Sequence, residues 1–437
     1  MAGFIDILRS GSWLNRERVR LVGLALLAAF VLGAGFLIAT SNGLNDRFGR
    51  PLGTDFSNVY AAGSYVLDGE PSAPFDPPRQ YAREQAIFGQ ATQFYGWHYP
   101  PFFLGLAALL AAMPYWLALI VWQGVTLLLY LWAMRSIFLS FRGSRSESPE
   151  SRALDSGPRA NARDRNENWL FALFCLAFPA VFINLGQAHN GFLTATLFGA
   201  ALVMLVERPI LAGVLIGCLA YKPQFGLLIP LVLIATGRWR AFASAAVTVA
   251  VMTLAVTFAF GIDVWSAFFA TGKFTRTVVL EQGGTGWYKI QSVFSWVRMW
   301  GGGIALAYAA QAAITLAVAA ALCWLWRSRA SYPLNAAGLL IGTLLATPYS
   351  LDYDLMLLAP AIAYLSIDGF ARGFGPYEKT IVAALWIVPL IARSVPQATL
   401  IPLAVPTMLL ALVFLLRRAM NECGAPGLWH FAARPLK

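Results

Sequence analysis

The stretch Leu21–Ala39, LVGLALLAAFVLGAGFLIA, runs for nineteen residues without a charge. That is about the length a helix needs to cross the hydrocarbon core of a bilayer. Arg9, Arg16, Arg18 and Arg20 precede it, and basic residues before a first span hold that end in the cytoplasm. The run is long and its basic flank lies far from residue 1, so it reads as an anchor rather than a cleavable signal. The polar loop 41–98 then falls outside, with Asp55 near its head in Gly53-Thr54-Asp55-Phe56. A carboxylate beside the membrane surface suggests chemistry on a lipid-borne substrate.

The same composition continues along the chain. Of 437 residues, 58% are hydrophobic and 12% charged, about half the charged share of a soluble domain. Apolar runs cover 21–39, 99–113, 115–139, 169–184, 191–206, 209–221, 225–236, 241–260, 302–326, 334–347, 353–368, 379–393 and 400–416. The reading is an all-α polytopic membrane protein with roughly 11 to 13 hydrophobic segments. Several runs are short, as broken or re-entrant helices lining a cavity are. The net charge of +11 sits in clusters at the ends of these runs, which is how topology determinants are distributed, so no nucleic-acid partner is expected. Cys175, Cys218 and Cys323 lie inside apolar runs and Cys423 near the C-terminus. No disulfide framework follows.

Arg142 to Arg165, Arg208, Arg238/Arg240, Arg327/Arg329, Arg372/Lys379 and Arg417/Arg418 fall on one side if the loops alternate, and by the charge rule that side is cytoplasmic. This divides the chain into a cytoplasmic N-terminus (1–20), a membrane domain (21–416) and a cytoplasmic tail (417–437). Outer loops occupy 41–98 and 261–300, and a Ser-, Pro- and charge-rich cytoplasmic linker occupies 141–168. Residues 99–139 must make one net crossing although Met113-Pro114-Tyr115 reads as a break between two helices. A half-helix dipping in at Pro100-Pro101 is one way to reconcile the two.

The expected outer face gathers the polar and aromatic stretches. From Asp55 onward Val59, Ala62, Tyr65 and Val66 recur at helical spacing, predicting a short amphipathic helix on the membrane. Asp55 reads either as its N-cap or as a functional carboxylate. Lys222, before Pro223, reads as an anion-binding cation or as a snorkelling lysine. Asp352 and Asp354, with Tyr349 and Tyr353, read as sugar or metal ligands, or as a cap and a solvated charge. Gln187, His189 and Asn190 suit hydroxyl recognition or loop satisfaction. Loop 261–300 interleaves Lys273, Arg276, Lys289 and Arg298 with Trp265, Trp287, Tyr288 and Trp296, suiting a phosphate or an interfacial belt. The chain contains no Walker A pattern, no Gly-x-Ser-x-Gly elbow, no dinucleotide fingerprint and no His or Cys cluster for zinc, which argues against a soluble nucleotide-sugar enzyme.

Gly53-Thr54-Asp55-Phe56, Tyr99-Pro100-Pro101, Gly186-Gln187…Asn190, Lys222-Pro223…Pro230 with Arg238-Trp239-Arg240, and Thr347 to Asp354 follow one another in order. This order resembles glycosyltransferase family 87, integral-membrane enzymes of the GT-C type that include polyprenyl-phosphate-mannose-dependent mannosyltransferases. The likeness runs over about residues 20 to 416. It implies a GT-C-type helix bundle and a donor in which a polyprenyl phosphate carries one hexose, mannose by analogy. The acceptor would be a lipid-linked or envelope glycan. It also implies that the acidic residue of the first outer loop, here Asp55, is the catalytic base of an inverting transfer. Some relatives carry histidines in the stretch matching Leu351 to Asp354.

On this reading Lys222, Arg276, Lys273 and Arg393 are the expected donor-phosphate cations. Asn58, His98, Gln187, Asn190, Tyr349, Asp352 and Asp354 are the expected sugar or acceptor contacts. No cofactor and no metal ligands are assigned. The expected partners are the lipid-linked donor, the acceptor and membrane lipids, and the expected place is the inner (plasma) membrane with the site on its periplasmic face. A transporter or flippase of a lipid-linked glycan is the rival reading, and a scaffold subunit of an envelope-assembly complex is a second.

Overall fold

The computed structural model describes residues 2–145 and 168–424. The expected linker 141–168 lies outside the described residues over 146–167, as does the expected tail over 425–437. Among the described residues every regular element is helical, and the β-type pairing is confined to isolated bridges. Each apolar run becomes a helix or a helix pair. Six helices are long and apolar enough to cross a bilayer: Arg16–Ala39, Tyr115–Ser140, Trp239–Phe260, Ile304–Arg327, Asp352–Arg372 and Ala404–Gly424. A bent pair, Asn168–Leu176 with Pro179–Gln187 at 49°, makes a seventh if counted as one span. Pro179 causes the bend, because it can start a helix but cannot continue one.

Burial sorts these helices. Only 6% of the apolar window of Arg16–Ala39, and of Trp239–Phe260, is buried by protein, against 78% for Asp352–Arg372. The first two are peripheral: Val247, Val251, Leu254 and Phe258 form an exposed stripe at helical spacing, as a lipid-facing surface does. Asp352–Arg372 is the central post, packed against the buried helix Tyr332–Ala346. Close packing comes from small residues. Gly213 and Gly217 present a GxxxG face to Trp239–Phe260, where a Cβ on Gly213 would meet the Ala241 carbonyl oxygen at 2.4 Å. Such faces let helix backbones touch where no hydrophobic effect drives association.

The structure resolves the 99–139 region. Leu104–Ala111 has 8 residues and spans about 12 Å, too short to cross, whereas Tyr115–Ser140 has 26 residues and spans about 39 Å. One crossing results, preceded by a short helix. The helix Phe56–Leu67, expected to lie on the membrane, instead packs on Leu104–Ala111 so closely that a Cβ on Gly63 would meet the Ala107 carbonyl oxygen at 2.0 Å. Ser57, Asn58, Ala61 and Gly63 are buried along with the periodic apolar residues, so protein rather than lipid covers both faces.

The loops 41–98 and 261–300 fold and dock together. The Thr271 hydroxyl donates to the Phe75 carbonyl, Thr275 Oγ1 lies 2.9 Å from His98 Nδ1, and Phe94 meets Phe274 edge-on. The basic span ends meet at the opposite end of the bundle. Arg238 donates to the Leu205 carbonyl and lies over Trp326. Arg418 bonds Asp368 at 2.6 Å and Glu378 at 2.5 Å, and Arg372 bonds Glu422 at 2.6 Å. The N-terminal helix Ala2–Ser10 joins this end through the Arg9 carbonyl, which accepts from the Tyr377 N–H at 2.8 Å. The central helix thus runs from the Asp55 end to this basic end.

Candidate active site

Asp55 is placed by a turn that needs glycine. Gly53 has φ of 68°, and a Cβ there would meet Leu119 at 2.7 Å and Ala188 at 2.9 Å, so neither the backbone nor the space admits a larger residue. Asp55 occupies the N-cap position of Phe56–Leu67, yet its side chain makes no capping bond. Its main-chain N–H donates to the Gln187 carbonyl at 3.1 Å instead, docking the turn on the hairpin that ends Pro179–Gln187.

One orientation of the Gln187 amide suits both of its neighbours. Nε2 donates to Asp55 Oδ2 at 3.2 Å, and Oε1 accepts from Arg393 Nη2 at 2.6 Å. The opposite orientation would set donor against donor at Arg393. Arg393 Nε in turn donates to Asp352 Oδ2 at 2.6 Å, and Asp352 Oδ1 accepts from the Tyr353 N–H at 3.1 Å. Asp55, Gln187, Arg393 and Asp352 form one chain of contacts. Burial pushes the Asp55 carboxyl up to about 6, opposed by Arg393, reinforced by Asp352 and opposed again by Lys289. Asp55 nevertheless keeps part of its surface exposed, as a reacting group must.

Three long-range contacts hold the walls. Asn184 Nδ2 donates to the Tyr353 carbonyl at 3.1 Å while its Oδ1 accepts from Gly191 N–H at 2.9 Å, clamping the hairpin to the 352–357 turn. Ile290 bridges Leu351, and the Gln291 N–H donates to the Ser350 carbonyl at 2.6 Å. The Gln291 side chain donates to the Ala392 carbonyl at 2.7 Å, fixing the chain next to Arg393. His189 stacks on Tyr353 with ring centroids 3.3 Å apart, and its Nε2 lies 3.2 Å from the Tyr99 hydroxyl.

The sequence-selected residues fall into two groups. Asp55, Gln187, Arg393 and Asp352 are brought together. Tyr349 stands nearby: burial, then the charges of Asp354 and Asp55, push its phenol above the usual value, so it lies within electrostatic reach of both. Asn190 is buried in the hairpin with Nδ2 unpartnered. Lys222 and Asp354 are committed to each other at 2.5 Å, with side chains 3% and 1% exposed, and Lys222 also lies over the Tyr353 ring.

The others stand apart. Arg276 is 63% exposed and faces Glu281 at 3.4 Å, and Lys273 is exposed on the preceding helix turn. Asn58 is buried in its helix, its carbonyl accepting from Gln80. Burial holds the His98 imidazole down at about 4; it serves as a neutral tie to Thr275. Lys273 lies in the last turn of the α-helix Asp263–Phe274, and Arg276 lies in the π-helical stretch that follows, Thr275–Glu281.

Sequence reasoning passed over three residues. Lys289 is close enough to lower the Asp55 pKa; its signal is the aromatic-cation run of loop 261–300, which also holds Lys273 and Arg276. Asn184 lies inside an apolar run, and a buried polar residue there is itself a signal. Glu84, wholly buried, accepts from the Tyr95 and Gly96 N–H groups at 3.0 and 3.1 Å. It holds the turn that leads into Trp97-His98-Tyr99. Among the described residues no three His, Cys, Asp or Glu side chains gather closely enough to hold a metal ion.

Beside this site lies an apolar groove of about 730 Å³, walled by Pro209–Cys218, Trp239–Phe260 and the broken helix Pro223–Gly226/Leu228–Ala235. Thr347 and Pro348 also line it, directly before Tyr349, which feels the charges of Asp55 and Asp354.

No curated protein and no solved structure matches the chain. The family model of glycosyltransferase family 87 matches residues 97–348. The matched residues take in Tyr99-Pro100-Pro101, Gln187, Asn190, Lys222 and Lys289, while Asp55 precedes them and Asp352 and Arg393 follow. A match over more than half of an all-helical, multi-pass chain decides the family: this protein belongs to glycosyltransferase family 87, a family of membrane glycosyltransferases.

Proposed function

We propose that the protein transfers a hexose, mannose by analogy with its family, from a polyprenyl phosphate to a hydroxyl of a lipid-linked or envelope glycan. The transfer takes place on the outer face of the inner membrane and inverts the anomeric centre. The observation that carries this reading is Asp55, a carboxylate at a helix N-cap position that leaves the helix uncapped and turns toward Gln187 and Arg393. A cap has no need of those partners; a base has.

In the proposed step Asp55 takes the proton of the acceptor hydroxyl. The hydroxyl oxygen forms its bond to the anomeric carbon as the bond from that carbon to the phosphate oxygen breaks. The electron pair leaves with the polyprenyl phosphate. A carboxylate raised toward 6 is better matched to this task than an ordinary one, while remaining ionised at neutral pH. Positive charge is needed where the phosphate leaves, and Arg393 and Lys289 are the cations close to Asp55. Lys222 is buried against Asp354, whereas Arg393, though paired with Asp352, keeps its side chain 42% exposed. The apolar groove supports a prenyl chain as the donor's other half, being apolar and close to the site.

The test is Asp55→Asn, assayed in membranes supplied with a polyprenyl-phospho-mannose donor. Loss of a general base predicts a drop of about 100- to 10,000-fold in kcat. Transfer at near wild-type rate sinks the proposal. So does trans-bilayer movement of labelled lipid without a new glycosidic bond.

A further inference from the structure

Both halves of Gln187 are spent on the site. Its carbonyl holds the Asp55 main chain at 3.1 Å, and its amide spans the space between Asp55 Oδ2 and Arg393 Nη2 at 3.2 and 2.6 Å. A primary amide has two N–H donors and an oxygen with two lone pairs, and here both its nitrogen and its oxygen already hold a charged partner. That ties its orientation to Asp55 and Arg393 rather than to a sugar hydroxyl, the role its position in the hairpin suggests.

The geometry also joins two functions otherwise unconnected. Asp55 follows the first span, and Arg393 follows the helix Glu378–Ile391 near the other end of the chain. The Gln187 amide is the bridge between them. Arg393 is itself held from its far side by Asp352 at 2.6 Å, and Asp352 is almost wholly buried. The line from Asp352 to Asp55 is therefore anchored at its buried end and open at its reactive end. With Oδ2 held by Gln187, Oδ1 of Asp55 is left for the acceptor.

We propose that Gln187 is a positioning residue: its amide aims the Asp55 carboxylate and couples it to Arg393, a cation assigned above to the departing phosphate. This rests on Asp55 being the base. A donor on Oδ2 stabilises the ionised carboxylate, so removing it makes Asp55 harder to ionise. Other charged and titratable groups surround Asp55. Arg393 and Asp352 face it from the Gln187 side, and Lys289 from loop 261–300. Glu84 and Tyr95 face it from loop 41–98, and Tyr99, Tyr349 and Tyr353 from the remaining walls. Gln187→Leu leaves all of these in place.

The experiment uses the full-length protein in detergent, with a polyprenyl-phospho-mannose donor and a native membrane-lipid extract as acceptor. It compares Gln187→Leu, Gln187→Glu and Asp55→Asn. The proposal expects Gln187→Leu to lower kcat tenfold or more with donor KM within about twofold, the mark of an interaction made in the transition state. It expects the acid limb of kcat/KM to move up by about half a pH unit to one unit, and further in Gln187→Glu, where a second carboxylate faces the first. A raised KM with the acid limb unmoved overturns it and returns Gln187 to sugar binding. Should the Gln187 variants melt before assay, Gln187→Asn keeps an amide but withdraws it from Oδ2, and the same limb shift is required of it. If Asp55→Asn is active, the proposed function fails. If Asp55→Asn is dead while the limb stays put in every Gln187 variant, only the positioning role fails.

Discussion

Asp55 shows how one side chain's environment separates two roles that sequence position leaves open. At a helix start, aspartate caps by accepting from the N–H groups of the first turn, but here the first two bond elsewhere: the Phe56 and Ser57 N–H groups donate to the Gly53 and Thr54 carbonyls at 2.7 and 3.3 Å. The carboxylate is left for other partners, and burial raises its pKa to about 6 against the pull of Arg393. The proton acceptor is the ionised form, so activity is present above this value and is lost as the pH falls through it. The kcat/KM profile is expected to show an acid limb near pH 6, dropping about tenfold per unit below. Arg393→Gln removes a charge that lowers the Asp55 pKa, so its limb is expected to move to higher pH. A limb that stays near 6 would show that Arg393 does not act on Asp55.

At the scale of elements, the site depends on helices that stop. The chain from Pro209 to Ala235 is a helix interrupted by the turns Leu219–Tyr221 and Pro223–Gly226. The interruption delivers Lys222 to Asp354, at the start of the central helix. A buried ion pair contributes little beyond what apolar residues of like shape would, but removing one partner leaves the other charge stranded. Lys222→Met is therefore expected to destabilise the protein by about 3–5 kcal/mol, read as a fall in melting temperature in detergent. Lys222→Met combined with Asp354→Leu is expected to recover most of it. If the double variant regains stability but not transfer, Lys222 or Asp354 has a part in chemistry beyond pinning the broken helix to the post.

For the molecule as a whole, the two ends of the bundle are built for different work. The basic end is stitched by Arg418, Asp368, Glu378, Arg372 and Glu422, while the other end carries the docked loops and Asp55. The apolar groove is the feature beside Asp55 that suits a lipid chain. Each CH₂ removed from water contributes about 0.8 kcal/mol, so a groove that loses contact with two of them weakens binding about tenfold. Ala246→Trp, which fills the groove wall, is expected to raise KM for a long polyprenyl donor by about that factor. It should leave a short-chain, water-soluble donor unaffected. Equal effects on both donors would remove the groove from the prenyl chain's path.

The helices, their order and the basic end were legible in the sequence. Span length and hydropathy are local, and each crossing segment satisfies its own backbone hydrogen bonds without help from the rest of the chain. Runs such as Leu21–Ala39 and 241–260 therefore declare themselves. The polar stretches carrying Asp55, Gln187 and Asp352–Asp354 were also visible, because polarity beside a membrane is uncommon. Which of those residues meet was not. Arg393 reaches Gln187 and Asp352, Lys222 is consumed by Asp354, and Arg276 stands exposed on a π-helical stretch. Each outcome depends on how helices distant in sequence pack. Sequence alone determined a multi-pass helical chain with an acid at the head of its first long loop. Only tertiary packing decided that this acid is left uncapped, half-buried and tied through one amide to an arginine from the far end of the chain.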